Sequence, residues 1–384
     1  MELARAYAAL LNARVTPRIP SRGSVGAADL TALAEVAAVV TEEGRVLPDA
    51  FASDALAAAG LTPVELAPHE ALAAISGNTY SIGVGALLGE AAEAVAVAAD
   101  RAVALSLEAV SGNLSPYSEI IADARGGSGQ RASAAAIRSA LEGSALHRPG
   151  RAASVQDPLS FRTAPQLHGA FREAVIRLRA EVDAELAART ENPVVDIPSG
   201  RMVSGGNVQP LPLALALALE SLRLALAHVA SASERRTAAL SLALAPARTA
   251  GRTRIPGLLL YAAADTAAEA KQLAAPATLA STTLSGVEDH ASFAPLALRL
   301  AQRSLALAAD ALAIEALHAS DLLGVSALAP TGAGTAPLAR ALDALLASAA
   351  SADELVARAD AALRREDISS DTPGDDRKRR SFGR

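Results

Sequence analysis

Apolar residues dominate two very long segments of the chain, residues 212–245 and 288–323, with few polar positions among them. Neither segment confines its apolar residues to a single stripe at helical spacing, which would be typical of a helix with one solvent face. A helix that is apolar on nearly every face is buried on all sides, in the middle of a bundle or between subunits. The pattern therefore predicts two long core helices and indicates an oligomer.

Shorter helices are predicted where apolar residues recur at helical spacing between turn residues. These helices cover residues 29–40, 82–110 and 165–189. The last of them ends before the sequence ENP, because proline disfavours helix in the residue that precedes it. A proline–serine–glycine turn then separates residues 194–197 from residues 201–204, which predicts a short β-hairpin.

Three segments of the chain are expected to be loops or disordered. Residues 122–135 and 142–156 are rich in glycine, serine and arginine, and we predict that they form mobile loops. The stretch 366–384 is charged and poor in apolar residues, so we expect it to be disordered. The chain is therefore expected to form one helical domain over residues 1–365, followed by a polar tail.

Composition favours an all-α fold, a long-helix bundle with a short hairpin insertion. Hydrophobic residues make up 51% of the 384 residues but aromatic residues only 2%, and the dominant alanine and leucine favour helix over strand. The formal net charge of -6 gives no reason to expect nucleic acid or an anionic membrane as a partner. The chain has no cysteine, which excludes disulfides, thiolate metal ligands and a cysteine nucleophile.

The sequence shows no secretory signal and no clear membrane span. Charged residues, among them Glu2 and Arg14, interrupt the apolar residues at the N-terminus. The most membrane-like stretch begins at Pro210, but Glu220 and Arg223 interrupt it well short of a full span. A buried core helix is therefore the better interpretation of this stretch, and we expect a cytoplasmic protein.

A polar stretch, QDPLSFRTAPQLHG at residues 156–169, interrupts the apolar pattern. Arg162 and His168 lie near a helix start at Pro165, where unpaired backbone N–H groups and the helix dipole favour an anion. An arginine can hold a carboxylate by two parallel hydrogen bonds. The alternative is structural, in which Arg162 pairs with an acid and His168 is a core histidine with its hydrogen bonds satisfied.

The second polar stretch, SGGNVQP at residues 204–210, precedes the first long apolar helix. Two glycines followed by Asn207 and Gln209 would allow a ligand to approach the backbone closely. A hairpin exit followed by a helix cap would use similar residues, so both interpretations remain open.

The third polar stretch, SGVEDHASF at residues 285–293, precedes the second long apolar helix. Glu288, Asp289 and His290 place three ionisable groups at the start of a helix that is otherwise apolar, which indicates a polar pocket. Adjacent residues on a helix point apart rather than toward one ion, so we expect no metal site here.

Taken in order, the motifs resemble those of the aromatic amino acid ammonia-lyase family, the histidine and phenylalanine ammonia-lyases. A glycine-rich turn, IPSRGSVGAADLTALAEVA, is similar to the segment from which that family builds its electrophile. The other similar motifs are EALAAISGNTYS, QDPLSFRTAPQLHG, ENPVV with GRMVSGGN, ASERR and VEDHASFA. The resemblance extends over residues 4–345 and implies a bundle of the ammonia-lyase and fumarase type. It also implies a homotetramer whose active sites take residues from three subunits.

The resemblance further implies elimination of ammonia from an α-amino acid, giving an unsaturated acid. Family members use a methylidene-imidazolone that their own backbone forms from an Ala-Ser-Gly triplet. Here Ala27, Ala28 and Asp29 stand at that position, without the serine or the glycine, so we expect no cofactor to form there. The family's N-terminal segment, which carries a catalytic tyrosine, is expected to be absent.

Other site residues carry over position by position. Arg162 matches the family's carboxylate-binding arginine, and Glu288 matches its pocket glutamate. Leu159 stands in place of a tyrosine, Ser76 in place of an asparagine, and Gln209 in place of a histidine. The substrate-binding set implied by the resemblance is Arg162, Asn207, Gln209, Ser76 and Leu159.

Three interpretations of function remain open. In the first, an ammonia-lyase-like enzyme holds an amino acid carboxylate with Arg162, while Glu288, Tyr80 or His290 supplies acid–base catalysis, acting on a better leaving group than ammonia if no electrophile is present. In the second, an inactive homologue binds a carboxylate ligand or serves in a hetero-oligomer with an active paralogue. In the third, the native protein starts upstream of Met1.

Overall fold

The structure, a computed structural model, describes residues 2–190, 193–203, 210–279, 288–326 and 329–365. Within these ranges the helices are α1 (Glu2–Ala13), α2 (Leu30–Val40), α3 (Ala52–Ala59), α4 (Glu70–Ile75), α5 (Thr79–Val110), α6 (Glu119–Arg125), α7 (Ser128–Ala140), α8 (Leu159–Arg162), α9 (Ala164–Ala187), α10 (Leu213–Ala243), α11 (Ala245–Thr249), α12 (Leu259–Leu273), α13 (Ala294–Val325), α14 (Thr335–Leu346) and α15 (Ala352–Arg364). The strands are β1 (Arg45–Val46), β2 (Ala50–Phe51), β3 (Val194–Asp196) and β4 (Arg201–Val203). The predicted all-α class is confirmed.

Four predicted helices are confirmed, with ends that differ by a few residues. The prediction over residues 29–40 corresponds to α2, 82–110 to α5, 165–189 to α9 and 212–245 to α10. Alanine and leucine give these segments high helix propensity, and glycine, proline or asparagine punctuates their ends. Existence and type of the long helices therefore follow from the sequence alone.

Both small sheets are antiparallel hairpins. The predicted hairpin is confirmed as β3 and β4, in which Val195 pairs with Met202. The pattern did not predict β1 and β2, in which Arg45 pairs with Phe51. Each of these two strands has only two residues, too few for an alternating pattern to show.

The long apolar helices bury much of their surface within the chain. On α10, Leu215, Leu219 and Leu226 are fully buried, whereas Leu217 and Leu224 are 54% and 53% exposed. The α10 helix and the stretch from α4 through α5 are long and apolar enough to cross a membrane. In the protein, however, 56% of the most apolar segment of α10 and 50% of that of the other stretch are buried. Buried core helices of soluble proteins pass the same test, so it is weak evidence for a span.

The second long helix begins later than predicted over residues 288–323. Ser292 and Phe293 are held in a non-helical conformation, because the Ser292 hydroxyl donates a 2.7 Å hydrogen bond to the Gly26 carbonyl and Phe293 has φ of +52°. Ser292 Oγ also accepts the first N–H of α13 over 3.2 Å. The ionisable residues 288–290 therefore lie before the helix rather than on its first turn.

The mobile loop predicted over residues 122–135 is wrong, because α6 and α7 occupy most of it. Gly126, with φ of +82°, ends α6, and α7 then buries Ile137 in a hydrophobic cluster. Gly129 of α7 lies so close to Gly169 of α9 that a Cβ on either residue would overlap the other segment. Glycine serves close helix packing here rather than flexibility. The other predicted loop, residues 142–156, contains a 3₁₀ turn at Ala145–His147.

The chain divides into two compact units. Unit 1 consists of Met1–Ala92, Ala174–Leu224 and Leu273–Ser304, and unit 2 consists of Glu93–Glu173, Ala225–Gln272 and Leu305–Arg384. Unit 1 contains the glycine turn and residues 288–290, whereas unit 2 contains Arg162. The predicted tail, residues 366–384, lies outside the described residues.

Candidate functional site

The glycine turn that precedes α2 depends on a close approach of two backbone segments. Gly26 has φ of +82°, a left-handed conformation that residues with side chains rarely adopt. A Cβ atom built on Gly26 would overlap Ser292 Oγ. Only glycine therefore allows the Ser292 hydroxyl to reach the Gly26 carbonyl and form the 2.7 Å hydrogen bond seen here.

Backbone hydrogen bonds tie the turn to three other segments of unit 1. The Ala28 N–H donates to the Pro210 carbonyl over 2.7 Å, and the Asp29 N–H donates to the Gly77 carbonyl over 2.7 Å. In the opposite direction, the Phe293 N–H donates to the Val25 carbonyl of the turn over 2.8 Å. Segments that are distant in sequence therefore meet around the turn, and its conformation is fixed by all of them.

Asp29 anchors the turn from inside the protein. Its side chain is fully buried, and its Oδ2 atom accepts a 2.8 Å hydrogen bond from the Ser81 N–H. Its Oδ1 atom accepts hydrogen bonds from the Ser81 and Ser24 hydroxyls over 3.1 and 3.5 Å. Burial raises the pKa of Asp29, and the hydrogen bonds from Ser81 and Ser24 oppose that rise. The carboxylate thus joins the turn to the first turn of α5.

A pocket of about 450 Å³ lies beside the turn, and we call it the turn pocket. Its polar lining comes from Ser76, Glu288, Asp289 and His290, and its apolar lining comes from Ala27, Ala28, Leu30, Leu72, Pro210 and Leu211. The structure therefore brings together Ala27, Ala28, Ser76, Glu288 and His290, all of which the sequence had singled out. Tyr80 is half-buried near the start of α5 and does not line the turn pocket.

The polar lining of the turn pocket can bind a ligand and move protons. Glu288, Asp289 and His290 are all exposed. Carboxyl and imidazole groups are the side chains that most often serve in general acid–base catalysis. Within the described ranges, no group of three or more histidine, aspartate or glutamate side chains is placed to hold a metal ion.

The second group of predicted residues lies on α8 in unit 2. Arg162 ends this single-turn helix, and its Nε atom is buried without a hydrogen-bond partner. Among the residues that the structure describes, Arg162 also has no acidic partner. The structural alternative, in which Arg162 pairs with an acid, is therefore not what this part of the chain shows. Leu159, at the other end of α8, is 61% exposed.

His168, by contrast, is a core histidine. It is fully buried, and its Nδ1 atom lies 2.8 Å from Asp100 Oδ1. Arg172 and Ser133 donate to the same carboxylate. The core location matches the structural interpretation of His168, but its Nε2 atom is buried without a hydrogen-bond partner among the described residues, so its hydrogen bonds are not all satisfied. Asn207 and Gln209, the remaining predicted binding residues, lie outside the described part of the chain.

The sequence did not point to Ser24, Ser81 or Ser292. Serine is common in turns and at helix starts, so its presence there carries little information. The partners of Ser81 and Ser292 lie 52 and 266 residues away in the chain, and no local pattern reveals such pairings. The one indication in the sequence is the glycine-rich composition of the turn, since glycine permits close backbone approach.

Comparison with known proteins matches residues 1–347 to the family model for aromatic amino acid lyases. The histidine ammonia-lyase of Anaeromyxobacter sp. (strain K) is 38% identical over 340 residues, which are 83% of this chain and 66% of that protein. The histidine ammonia-lyase of Stigmatella aurantiaca is 37% identical over 345 residues, 86% of this chain and 66% of that protein. The chain spans slightly less than two thirds of the length of these curated relatives.

Solved structures agree with the sequence comparisons. Ergothionase from Treponema denticola superposes with a TM-score of 0.86 at 26% identity, covering 94% of this chain and 75% of that one. Histidine ammonia-lyase from Trypanosoma cruzi gives a TM-score of 0.78 at 27% identity, covering 95% and 71%. The fold predicted from the resemblance is therefore confirmed.

The expectation that no cofactor is involved is wrong. Members of the matched family use a methylidene-imidazolone formed from an Ala-Ser-Gly triplet. A changed triplet was too narrow a basis for excluding a group that the family uses. In this chain Ala27, Ala28 and Asp29 stand at the position that resembles the triplet, and the N–H groups of Ala28 and Asp29 donate to the Pro210 and Gly77 carbonyls. Ala27 and Ala28 form part of the lining of the turn pocket.

Gly26→Ala is expected to destabilise the protein more than Gly60→Ala. Both glycines have positive φ, +82° and +67°, but a Cβ on Gly60 would meet nothing within 4 Å. The Gly60 variant therefore reports the backbone cost alone, about 1–2 kcal/mol. Gly26→Ala adds the clash with Ser292, about 1–3 kcal/mol. Urea unfolding of both variants measures the difference, and equal losses would contradict the role given to the close approach.

Asp29→Asn is expected to change how stability depends on pH. The pKa of Asp29 is raised in the folded protein, so the folded state binds the proton more tightly than the unfolded chain does. The Asp29 carboxylate therefore lowers stability as pH rises from about 4 through its folded pKa. Asparagine keeps an acceptor for the Ser81 N–H but does not titrate.

The free energy of unfolding of both proteins, measured in urea between about pH 4 and pH 7, tests this prediction. The stability of Asp29→Asn minus that of the unsubstituted protein should increase with pH, because only the latter loses the proton. A difference that stays constant across this range would show that Asp29 has no raised pKa.

Proposed function

Because the chain belongs to the aromatic amino acid lyase family, we propose that the protein catalyses elimination of ammonia from an α-amino acid. The reaction breaks a C–N bond and a C–H bond on neighbouring carbons and forms a double bond between them. Its products are ammonia and an unsaturated acid. The enzyme must therefore hold the substrate carboxylate and accept the proton.

The state of Arg162 is the observation that carries this proposal. A buried N–H donor without a partner costs free energy, about 1–3 kcal/mol, that a ligand can recover by accepting its hydrogen bond. The Arg162 Nε atom is such a donor, and it belongs to a guanidinium group with no acidic partner in the described ranges. A guanidinium group matches a carboxylate with two parallel hydrogen bonds. We therefore assign Arg162 to the substrate carboxylate.

Proton transfer is assigned to the ionisable groups of unit 1. Glu288 and His290 line the turn pocket and are exposed to a ligand there. Tyr80 lies near the start of α5, outside the residues that line the pocket. These three residues are the candidates for accepting the β-proton or for protonating the leaving amine.

Histidine is the amino acid that we propose as the substrate. The relatives from Anaeromyxobacter and Stigmatella are histidine ammonia-lyases. The turn pocket also has two adjacent acidic groups, Glu288 and Asp289, which favour a ligand that carries N–H donors or positive charge. An imidazole side chain carries an N–H donor when neutral and also a positive charge when protonated. Ser76, Leu159, Asn207 and Gln209 complete the proposed substrate-binding set.

The proposed setting of the enzyme follows the family. We propose a homotetramer in the cytoplasm, without nucleic acid or membrane partners, and a single helical domain over residues 1–365. Leu217 and Leu224 are exposed on α10, which supports a contact between subunits on that helix.

Arg162→Ala is expected to weaken binding of L-histidine by at least about tenfold, because two charge-assisted hydrogen bonds are lost. Binding of L-histidinamide, which lacks the carboxylate, should change little. Arg162→Lys should give an intermediate loss, since lysine keeps the charge but not the fork. Isothermal titration calorimetry of each variant provides the measurement.

The matched control is Arg131→Ala, which removes an exposed arginine from α7 and should leave both affinities unchanged. If Arg162→Ala bound L-histidine as tightly as the unsubstituted protein does, the carboxylate assignment would be wrong.

A further inference from the structure

Helix α8, which carries Arg162, is a single turn of four residues. A helix this short makes almost no internal hydrogen bonds that could fix its orientation. The Phe161 and Arg162 N–H groups both donate to the Pro158 carbonyl, over 3.0 and 3.2 Å. The Thr163 N–H and hydroxyl both donate to the Leu159 carbonyl. The carbonyls of the two middle residues are left for partners outside the helix.

The first of these outside partners is Tyr117. The next helix has proline at position 165, which has no N–H and cannot donate to the Phe161 carbonyl four residues earlier. The Tyr117 hydroxyl donates to that carbonyl instead, over 2.6 Å, and both residues are buried. Burial raises the pKa of Tyr117, so its hydroxyl keeps the proton that it donates.

The second outside partner is Arg236, which is fully buried in unit 2. Two of its nitrogens, Nε and Nη2, donate to the two oxygens of the buried Glu315 carboxylate over 2.7 and 2.8 Å. Its third nitrogen, Nη1, donates to the Ser160 carbonyl of α8 over 2.8 Å. The two parallel hydrogen bonds to Glu315 therefore orient the guanidinium group of Arg236 so that its Nη1 atom faces α8.

Glu315 is itself held in place by two serine hydroxyls. Ser106 Oγ donates to Oε1 over 2.8 Å, and Ser233 Oγ donates to Oε2 over 2.7 Å. Arg236, Glu315, Ser106 and Ser233 are all buried. The orientation of Arg236 is thus fixed from α5, α10 and α13 before it reaches α8.

We propose that Tyr117 and the Arg236–Glu315 ion pair are positioning residues for Arg162. They bind the carbonyls of Ser160 and Phe161 and thereby fix the single turn on which the Arg162 guanidinium is carried. This inference rests on the proposed role of Arg162 in carboxylate binding.

A contribution to folding stability does not by itself explain the buried Arg236–Glu315 ion pair. Buried ion pairs pay a large desolvation cost, and apolar residues of similar volume often replace them without loss of stability. Apolar residues could not, however, bind the two carbonyls of α8. Misplacing a binding group by about 1 Å can cost up to about a hundredfold in activity, so precise orientation of Arg162 gives the network a role.

The test is a double-mutant cycle between Tyr117→Phe and Arg162→Ala, read by calorimetric affinity for L-histidine and for L-histidinamide. Tyr117→Phe keeps the ring in the core and removes only the hydroxyl. We expect it to weaken L-histidine binding roughly three- to tenfold and to leave L-histidinamide binding unchanged. In the Arg162→Ala background it should have no further effect, because the group that it positions is gone.

Tyr7→Phe is the matched control, because the Tyr7 hydroxyl is buried without a hydrogen-bond partner among the described residues. It should change neither affinity. Glu315→Gln is the second variant, and it should reproduce the loss for L-histidine alone by weakening the hydrogen bonds that orient Arg236. Circular dichroism of each variant confirms that it is folded.

The possible results separate this inference from the proposed function. If Arg162→Ala weakens the binding of both ligands equally, or of neither, the proposed role of Arg162 in carboxylate binding is wrong. If that role holds but Tyr117→Phe and Glu315→Gln both bind L-histidine normally, the positioning role is wrong. A loss that is equal for both ligands, or that persists in the Arg162→Ala background, would show a purely structural role.

Discussion

The contact between Gly26 and Ser292 is the constraint on which the candidate site depends. It brings the segment before α13 against the turn before α2, although 266 residues separate the two positions in the chain. The same contact ends the non-helical stretch that contains Glu288, Asp289 and His290, and so keeps these residues beside the turn instead of on a helix. The turn pocket exists because a hydroxyl can reach a carbonyl where no Cβ stands in the way.

Polar side chains in this protein act mainly on backbone. In unit 1 the Asp29 carboxylate binds the Ser81 N–H, and in unit 2 Tyr117 and Arg236 bind carbonyls of α8. The long helices are built largely of alanine and leucine, which pack without specifying one arrangement strongly. Buried hydrogen bonds with defined partners supply that specification at the segments where helices begin or end. The irregular segments that carry the candidate site residues are thus held by hydrogen bonds to distant parts of the chain.

Sequence reasoning predicted the long helices and the later hairpin, because helix propensity and turn residues are local properties. It failed at residues 288–293, where Ser292 bonds to a distant turn and overrides the apolar pattern that predicted helix. It also failed at Gly129, because glycine that permits close packing of helices looks like glycine that permits flexibility. Arg162 was found from its setting, but Tyr117, Arg236 and Glu315 were not, since their common target is visible only in the fold. The absence of a cofactor was inferred from one triplet, and the family comparison corrects it.

The central claim is that this protein eliminates ammonia from an amino acid, and turnover of L-histidine tests that claim most directly. The full chain would be incubated with L-histidine, with ammonia measured by a coupled assay and the unsaturated acid by proton NMR. Ammonia and unsaturated acid should appear in equal amounts and at a rate proportional to protein concentration. Binding of L-histidine that depends on Arg162 without release of either product would contradict the claim and leave a protein that binds amino acids.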